Sequence, residues 1–306
     1  MGRREPAAPP VNTAMPNCPA VRVALLACLL AGVASAADGD GFLPAESRVV
    51  TLAQLPEPPD GATPGCVTRL TARGVPTALY RDHLFLLSER PQAPATDWAL
   101  PPGAEPVRDY CWMDEAGTLA LLRDTALDFV RAGRTIRSVA TPARGMRLAR
   151  ADADHCYLYG GEGEEWARTV LVLGVDGGVR HLGRLPEPVT AVAGNGANTF
   201  VALGAVVYFL GAGAEPRPVF SETTAIEELA YAPPVGVFYR TSAGLGCLHG
   251  PAAGSLFLRQ AVRSLDARDG RLLALSAERE VLFIAPIARI PSLLEEVRAL
   301  VPGRRP

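Results

Sequence analysis

Lysine is absent from this sequence. All 30 basic residues are arginine, set against 32 acids and 4 histidines. With 30 Gly, 28 Pro and abundant Ala, the missing lysine reads as the mark of a GC-rich genome. The arginines are therefore not, by number alone, anion-binding devices. Removing residues 1–36 takes away Arg3, Arg4, Arg22 and Glu5 and leaves 27 basic against 31 acidic residues. A mildly acidic chain of this kind is not expected to bind nucleic acid or anionic membranes nonspecifically.

The familiar catalytic signatures are missing too. There is no HExxH, no phosphate-binding Gly loop with its Lys, and no Gly-x-Ser-x-Gly elbow. The glycines of Gly194-Asn195-Gly196 sit among strand-like runs, with no helix following to cradle a dinucleotide. His83, His155, His181 and His249 are scattered along the chain. No motif calls for a cofactor. The six cysteines show no CxxC or other metal-ligand spacing. In an oxidising compartment Cys111 and Cys156 are the pair that neighbouring blades of the repeat described below would place at similar height. Small buried apolar residues are the commoner role for each.

No apolar run is long enough to span a bilayer, which takes about 20 residues. The strongest, residues 23–36, is preceded by Arg22 and ends in Ala34-Ser35-Ala36. That is the pattern of a secretory signal cleaved after Ala36, which places the mature chain in the periplasm or outside the cell without a stable transmembrane span. A lipoprotein anchored through Cys28 of Leu25-Leu26-Ala27-Cys28 is the alternative. Either Met1 or Met15 serves as the start. The chain then divides into 1–36 as signal, 37–46 as linker, 47–288 as one domain and 289–306 as tail.

What fills 47–288 is a repeat. An apolar-polar-polar-apolar marker occurs as Val67-Thr68-Arg69-Leu70, Val107-Arg108-Asp109-Tyr110, Met146-Arg147-Leu148-Ala149, Val189-Thr190-Ala191-Val192, Ile226-Glu227-Glu228-Leu229 and Val262-Arg263-Ser264-Leu265. Starts near 67, 107, 146, 189, 226 and 262 give a period near 40, the length of a four-stranded propeller blade. Apolar runs follow each marker, such as Thr199-Phe200-Val201-Ala202-Leu203 and Val206-Val207-Tyr208-Phe209-Leu210. Near-continuous runs suit strands buried on both faces. A weaker fourth strand carrying Pro and Arg, such as Pro216-Arg217-Pro218-Val219-Phe220, closes most units as an outer edge.

The sixth unit has no fourth strand of its own. The segment Leu52-Ala53-Gln54-Leu55-Pro56-Glu57-Pro58 is echoed by Leu182-Gly183-Arg184-Leu185-Pro186-Glu187-Pro188, where a fourth strand ends. Ser47–Leu52 is thus expected to supply the missing strand from the front of the chain. The expected fold is all-β: a six-bladed β-propeller closed by an N-terminal strand, with a short C-terminal helix over Pro291–Leu300. The blade pattern resembles six-bladed propellers of the NHL and TolB-like type across roughly residues 47–288. That resemblance is one of architecture, and such families include scaffolds, ligand binders and metal-dependent hydrolases.

Inner strands line a propeller's channel, so the polar marker residues are the candidate ligand site: Arg69, Arg108, Asp109, Arg147, Glu227, Glu228 and Arg263. Converging arginines there would suit a carboxylate or phosphate through forked contacts. Alternatively, the charges pair across the channel and close it. Asp152, Asp154, His155 and Asn195 are the candidate metal ligands at one end of the ring, though turns favour Asp and Asn in those positions anyway. The expected function is an exported, non-catalytic binding or scaffold protein acting on a protein or other cell-envelope partner. The alternatives are an extracytoplasmic metal-dependent hydrolase or lactonase, and a sensor of small anions.

Overall fold

The structure is a computed structural model and describes residues 48–55, 66–80, 83–89, 95–103, 105–211, 215–232, 236–248, 256–268 and 270–285. The export segment with Cys28, the 37–46 linker and the expected C-terminal helix lie outside them.

The described residues form six four-stranded antiparallel sheets. The first strand, β1 (Arg48–Gln54), belongs to none of its neighbours in sequence. Blade one follows as β2 (Cys66–Leu70), β3 (Pro76–Tyr80), β4 (His83–Leu86) and β5 (Thr96–Trp98), and blade two as β6 (Asp109–Trp112), β7 (Leu119–Leu122), β8 (Ala126–Arg131) and β9 (Arg134–Ala140). Blade three is β10 (Arg147–Arg150), β11 (His155–Tyr159), β12 (Thr169–Gly174) and β13 (Val179–Arg184), with one helical turn, α1 (Glu164–Ala167), between its second and third strands. Trp166 of this turn packs on the core between blades two and three. Blade four is β14 (Val189–Gly194), β15 (Thr199–Leu203), β16 (Val206–Leu210) and β17 (Arg217–Ser221). Blade five is β18 (Glu228–Ala232), β19 (Gly236–Thr241), β20 (Gly244–Cys247) and β21 (Leu256–Leu258). The last sheet contains β22 (Val262–Arg268), β23 (Arg271–Ser276) and β24 (Glu280–Ala285), and β1 pairs antiparallel with β24 to complete it.

The core is divided into six clusters, one between each pair of adjacent blades. This explains the unbroken apolar runs. Along β23, Leu272 and Ala274 face blade five, while Leu273 and Leu275 face blade one. The cluster at the seam joins Leu52, Ala53 and Leu55 to Val281, Phe283 and the blade-one residues Leu70 and Ala78. Full burial of a Leu or Phe side chain is worth about 1.5–3 kcal/mol, so the donated strand is a major part of the closure.

The Leu-x-x-Leu echo has a structural cause. Register shifts by one residue at Leu52 in β1 and at Leu182 in β13, so each leucine is the extra residue of a bulge. Each packs into an inter-blade cluster. Three residues on, Leu55 and Leu185 are buried and donate their N–H groups to Arg279 and Arg168 carbonyls at 3.0 and 2.9 Å. Similar shifts fall at Ile136, Val219 and Phe257, so the outer strands of blades two to six all carry one. Bulges at sheet edges twist the edge and interrupt further pairing.

Candidate functional site

The six inner strands run side by side around the axis, and each has one edge with no strand to pair with. Such edges leave backbone N–H and C=O groups that must find partners. The channel's polar side chains supply them. Ser264 Oγ accepts from Thr68 N at 3.0 Å and bonds Thr68 Oγ1 at 2.7 Å. Asp266 accepts from Leu70 N at 2.6 Å, and Glu228 from Leu265 N at 2.8 Å. Arg147 donates to the carbonyls of Thr190 at 2.5 Å and Glu227 at 2.8 Å. Arg240 donates to Val262 O at 2.8 Å, and Arg150 to Met113 O at 3.1 Å.

The same groups form an ion-pair network at the centre. Arg69 reaches Asp109 at 3.1 Å and Glu228 at 3.0 Å, and donates to the carbonyls of Thr68 and Leu265. The second Glu228 oxygen takes Arg240 at 3.2 Å, and Arg240 also pairs with Glu227. Arg69, Glu228 and Arg240 are each under 10% exposed, so these charges are held where water screens them little. Burial works against the Arg69 charge, but Asp109, Glu228 and Asp266 outweigh it and hold the guanidinium firmly protonated. Burial pushes the carboxyls of Asp109 and Asp266 upward, against the downward pull of Arg69. The Arg147 guanidinium lies over the Tyr159 ring at 5.6 Å, which adds a further hold on its charge.

Beside this network lies a cavity of about 50 Å³, lined among others by Arg69, Arg150, Tyr159, Glu228, Tyr231 and Asp266. One water needs roughly 10–15 Å³ of such space, so the cavity holds about four.

The structure brings four of the sequence's channel candidates together: Arg69, Asp109, Arg147 and Glu228. Glu227 joins them at the edge, 42% exposed through its side chain. Arg108 and Arg263 do not join. Arg108 precedes β6, is exposed, and pairs with Asp124 at 2.9 Å. Arg263 lies on β22 and is exposed. Arg240, on a second strand, was missed, although it stands directly opposite Glu228 in the β18–β19 register. Two adjacent acids leading into an apolar strand were the available signal for a buried cation nearby.

The weaker metal candidates are occupied with turn geometry. Asp152 Oδ1 accepts from the backbone of Asp154 and His155 at 2.8 Å each and contacts His155 Nδ1 at 2.9 Å. Asn195 Oδ1 accepts from Asn198 N at 2.9 Å. Among the described residues no three His, Cys, Asp or Glu side chains gather as ligands. Cys111 and Cys156 are both free thiols, buried in the same cluster between blades two and three. Burial pushes the Cys111 thiol up to about 12.

No protein-family model matches the sequence, and no curated protein matches it. Solved structures do. Virginiamycin B lyase from Staphylococcus aureus superposes with a TM-score of 0.52 at 10% identity, covering 75% of this chain and 82% of the lyase. A gluconolactonase from Xanthomonas campestris gives 0.55 at 11% identity, covering 80% and 91%. The WD40 propeller domain of Doa1 gives 0.57 at 10% identity, covering 82% and 99%. At these identities the likeness is one of fold. With its six sheets and the donated first strand, this chain is a six-bladed β-propeller.

Proposed function

We propose that the chain is an exported, non-catalytic propeller that binds or scaffolds a protein of the cell envelope. One observation carries the non-catalytic part: the channel's polar side chains serve the inner strand edges and one another. Asp109, Glu228, Asp266 and Ser264 each accept bonds from backbone or arginine that the ring needs. A hydrolytic site keeps an acid, a base or a metal position open to substrate. Here the central groups are paired, and the adjoining space suits about four waters. Export rests on Arg22 and the apolar run ending in Ala34-Ser35-Ala36.

The second reading, a lactonase-like enzyme, is favoured by the structural likeness to the Xanthomonas gluconolactonase. One pair of assays separates the two. The chain from residue 37 onward is offered five- and six-membered sugar lactones with and without added divalent cations, and is used as bait in its own envelope fraction. The binding reading expects no turnover and a partner that captures the propeller in the reciprocal experiment. Metal-dependent lactone hydrolysis lost in Asp266→Asn would overturn it.

A further inference from the structure

Blades diverge from the axis, so the outer strands of neighbouring blades flank a groove. Which side chains face each groove follows from register, because directly paired residues on adjacent strands point to the same side of the sheet. In blade two, Phe129 and Leu127 belong to the cluster shared with blade three, and they pair with Arg137 and Val139 of β9. Arg131 lies two residues beyond Phe129 and pairs with Arg134. Arg134, Arg137 and Val139 therefore face blade three.

In blade three, Leu171 and Leu173 belong to the same cluster and pair with His181 and Val179 of β13. Arg184, paired with Thr169, falls on that side too. The groove is thus walled by Arg134, Arg137 and Val139 on one strand and by Val179, His181 and Arg184 on the other. The Arg137 side chain lies against Gly177 in the β12–β13 turn, where a Cβ would meet its Nη1 at 2.8 Å. It bridges the two walls.

The charge here is one-sided. Neither facing wall carries an acid, and among the described residues neither Arg134 nor Arg137 has an ion-pair partner. Two acids lie at the groove's ends: Asp176, which accepts from Gly178 N, and Glu164, 3.6 and 3.7 Å from Arg168 and Arg184. The groove is also apolar where it is most open. Val179 is 52% exposed, and Ile136, the bulge residue of β9, is 48% exposed. The corresponding Leu52 and Leu182 are tucked into clusters instead. Arginine is enriched at protein-protein interfaces, and the exposed aliphatic side chains beside it add apolar area for a partner to cover.

We propose that this groove between blades two and three docks an extended acidic segment of a partner protein, with carboxylates on Arg134 and Arg137 and an apolar side chain over Val179 and Ile136. The register shift at Ile136 interrupts the outer edge of β9, so the segment is held through side chains and not as an added strand. The proposal rests on the binding reading above and names the surface that reading leaves open.

The test uses the chain from residue 37 onward and a fluorescein-labelled ten-residue peptide alternating Glu and Val, followed by anisotropy at low and high salt. Wild type binds it, and binding weakens with salt. The double variant Arg134→Glu/Arg137→Glu loses at least tenfold in affinity, Val179→Ser loses a fewfold, and Arg259→Glu on blade five changes nothing. All are exposed positions, and unchanged thermal unfolding shows that the variants fold. No binding by wild type, or binding indifferent to the double charge reversal, overturns the proposal. So does tighter binding of single-stranded DNA or of phosphatidylglycerol vesicles through the same two arginines, which would assign the groove to another class of partner. Reciprocal capture from the envelope fraction keeps the two readings apart. A partner held equally well by the double variant sinks the groove alone, whereas no partner for either protein sinks the binding reading.

Discussion

Replacing Arg69 with Met removes the hub of the channel without leaving a void, because Met approximates the aliphatic stem. The consequences differ for its two carboxylates. Glu228 keeps Arg240 and the Leu265 N–H, whereas Asp109 keeps only the Tyr110 N–H among its close partners. Breaking a buried pair from one side costs about 3–5 kcal/mol, and both side chains are under one-fifth exposed, so the lower end of that range applies at about pH 7. The loss is also pH-dependent. Burial already holds Asp109 above the ordinary carboxylate range, and without Arg69 it rises further. A raised carboxyl contributes stability that is complete below its unfolded value and lost as pH rises through its folded value. The deficit of Arg69→Met should therefore narrow as pH falls from about 7 to about 4.5, by about 1.4 kcal/mol for each unit of extra elevation. Urea unfolding of wild type and variant at both pH values reads this directly from the midpoint at constant slope. Asp109→Asn added to the Arg69→Met variant should recover part of the loss, a coupling of about 1–3 kcal/mol. A deficit below about 1 kcal/mol that stays flat with pH would mean water screens the network, as at a surface pair, and the reasoning about the channel would fail.

Three further outcomes follow from the same structure. A chain starting at residue 45 should unfold like one starting at 37, whereas one starting at 56 should lose its cooperative transition in calorimetry, since removal of β1 exposes Val281 and Phe283 of β24. Trp112→Phe should cost about 1–2 kcal/mol in urea unfolding, because it removes the indole bond to Thr77 Oγ1 at 3.1 Å and the edge-to-face contact with Trp98 at 5.4 Å. With a thiol reagent at neutral pH, half-buried Cys66 should react well before Cys111, Cys156 and Cys247, which should need denaturant; prompt labelling of Cys111 in the folded chain would contradict the inter-blade core.

Most of the ring was legible because each strand is squeezed between two apolar neighbours and so carries an uninterrupted run, as β15 and β16 do. Where that rule is relaxed, the reading was silent. β20 is Gly-Leu-Gly-Cys, because the Tyr239 ring occupies the space a side chain at Gly246 would need. The marker also ran ahead of the strand in blades two and five, where β6 and β18 start two residues after Val107 and Ile226. That offset is why Arg108 was taken for a channel residue although it lies outside the strand, while Asp109 opens β6. The network's logic was harder to see than its members. Arg69, Asp109 and Glu228 lie in three different blades, and their meeting depends on ring closure, to which periodicity is blind.

Because Arg48 is paired with Ala285, the two ends of the folded ring stand about 5 Å apart across one ladder. In topological terms the protein is a circle with a nick, and the nick happens to fall inside a sheet. A short linker across it would let the chain begin elsewhere, for instance at the Ala132-Gly133 turn between β8 and β9, leaving all six sheets with their present partners. Force applied at the natural ends would part β1 from β24 one hydrogen bond at a time, because the two strands are antiparallel and pulled from the same end. The seam is therefore the place where this ring, cohesive everywhere else, is built to unzip.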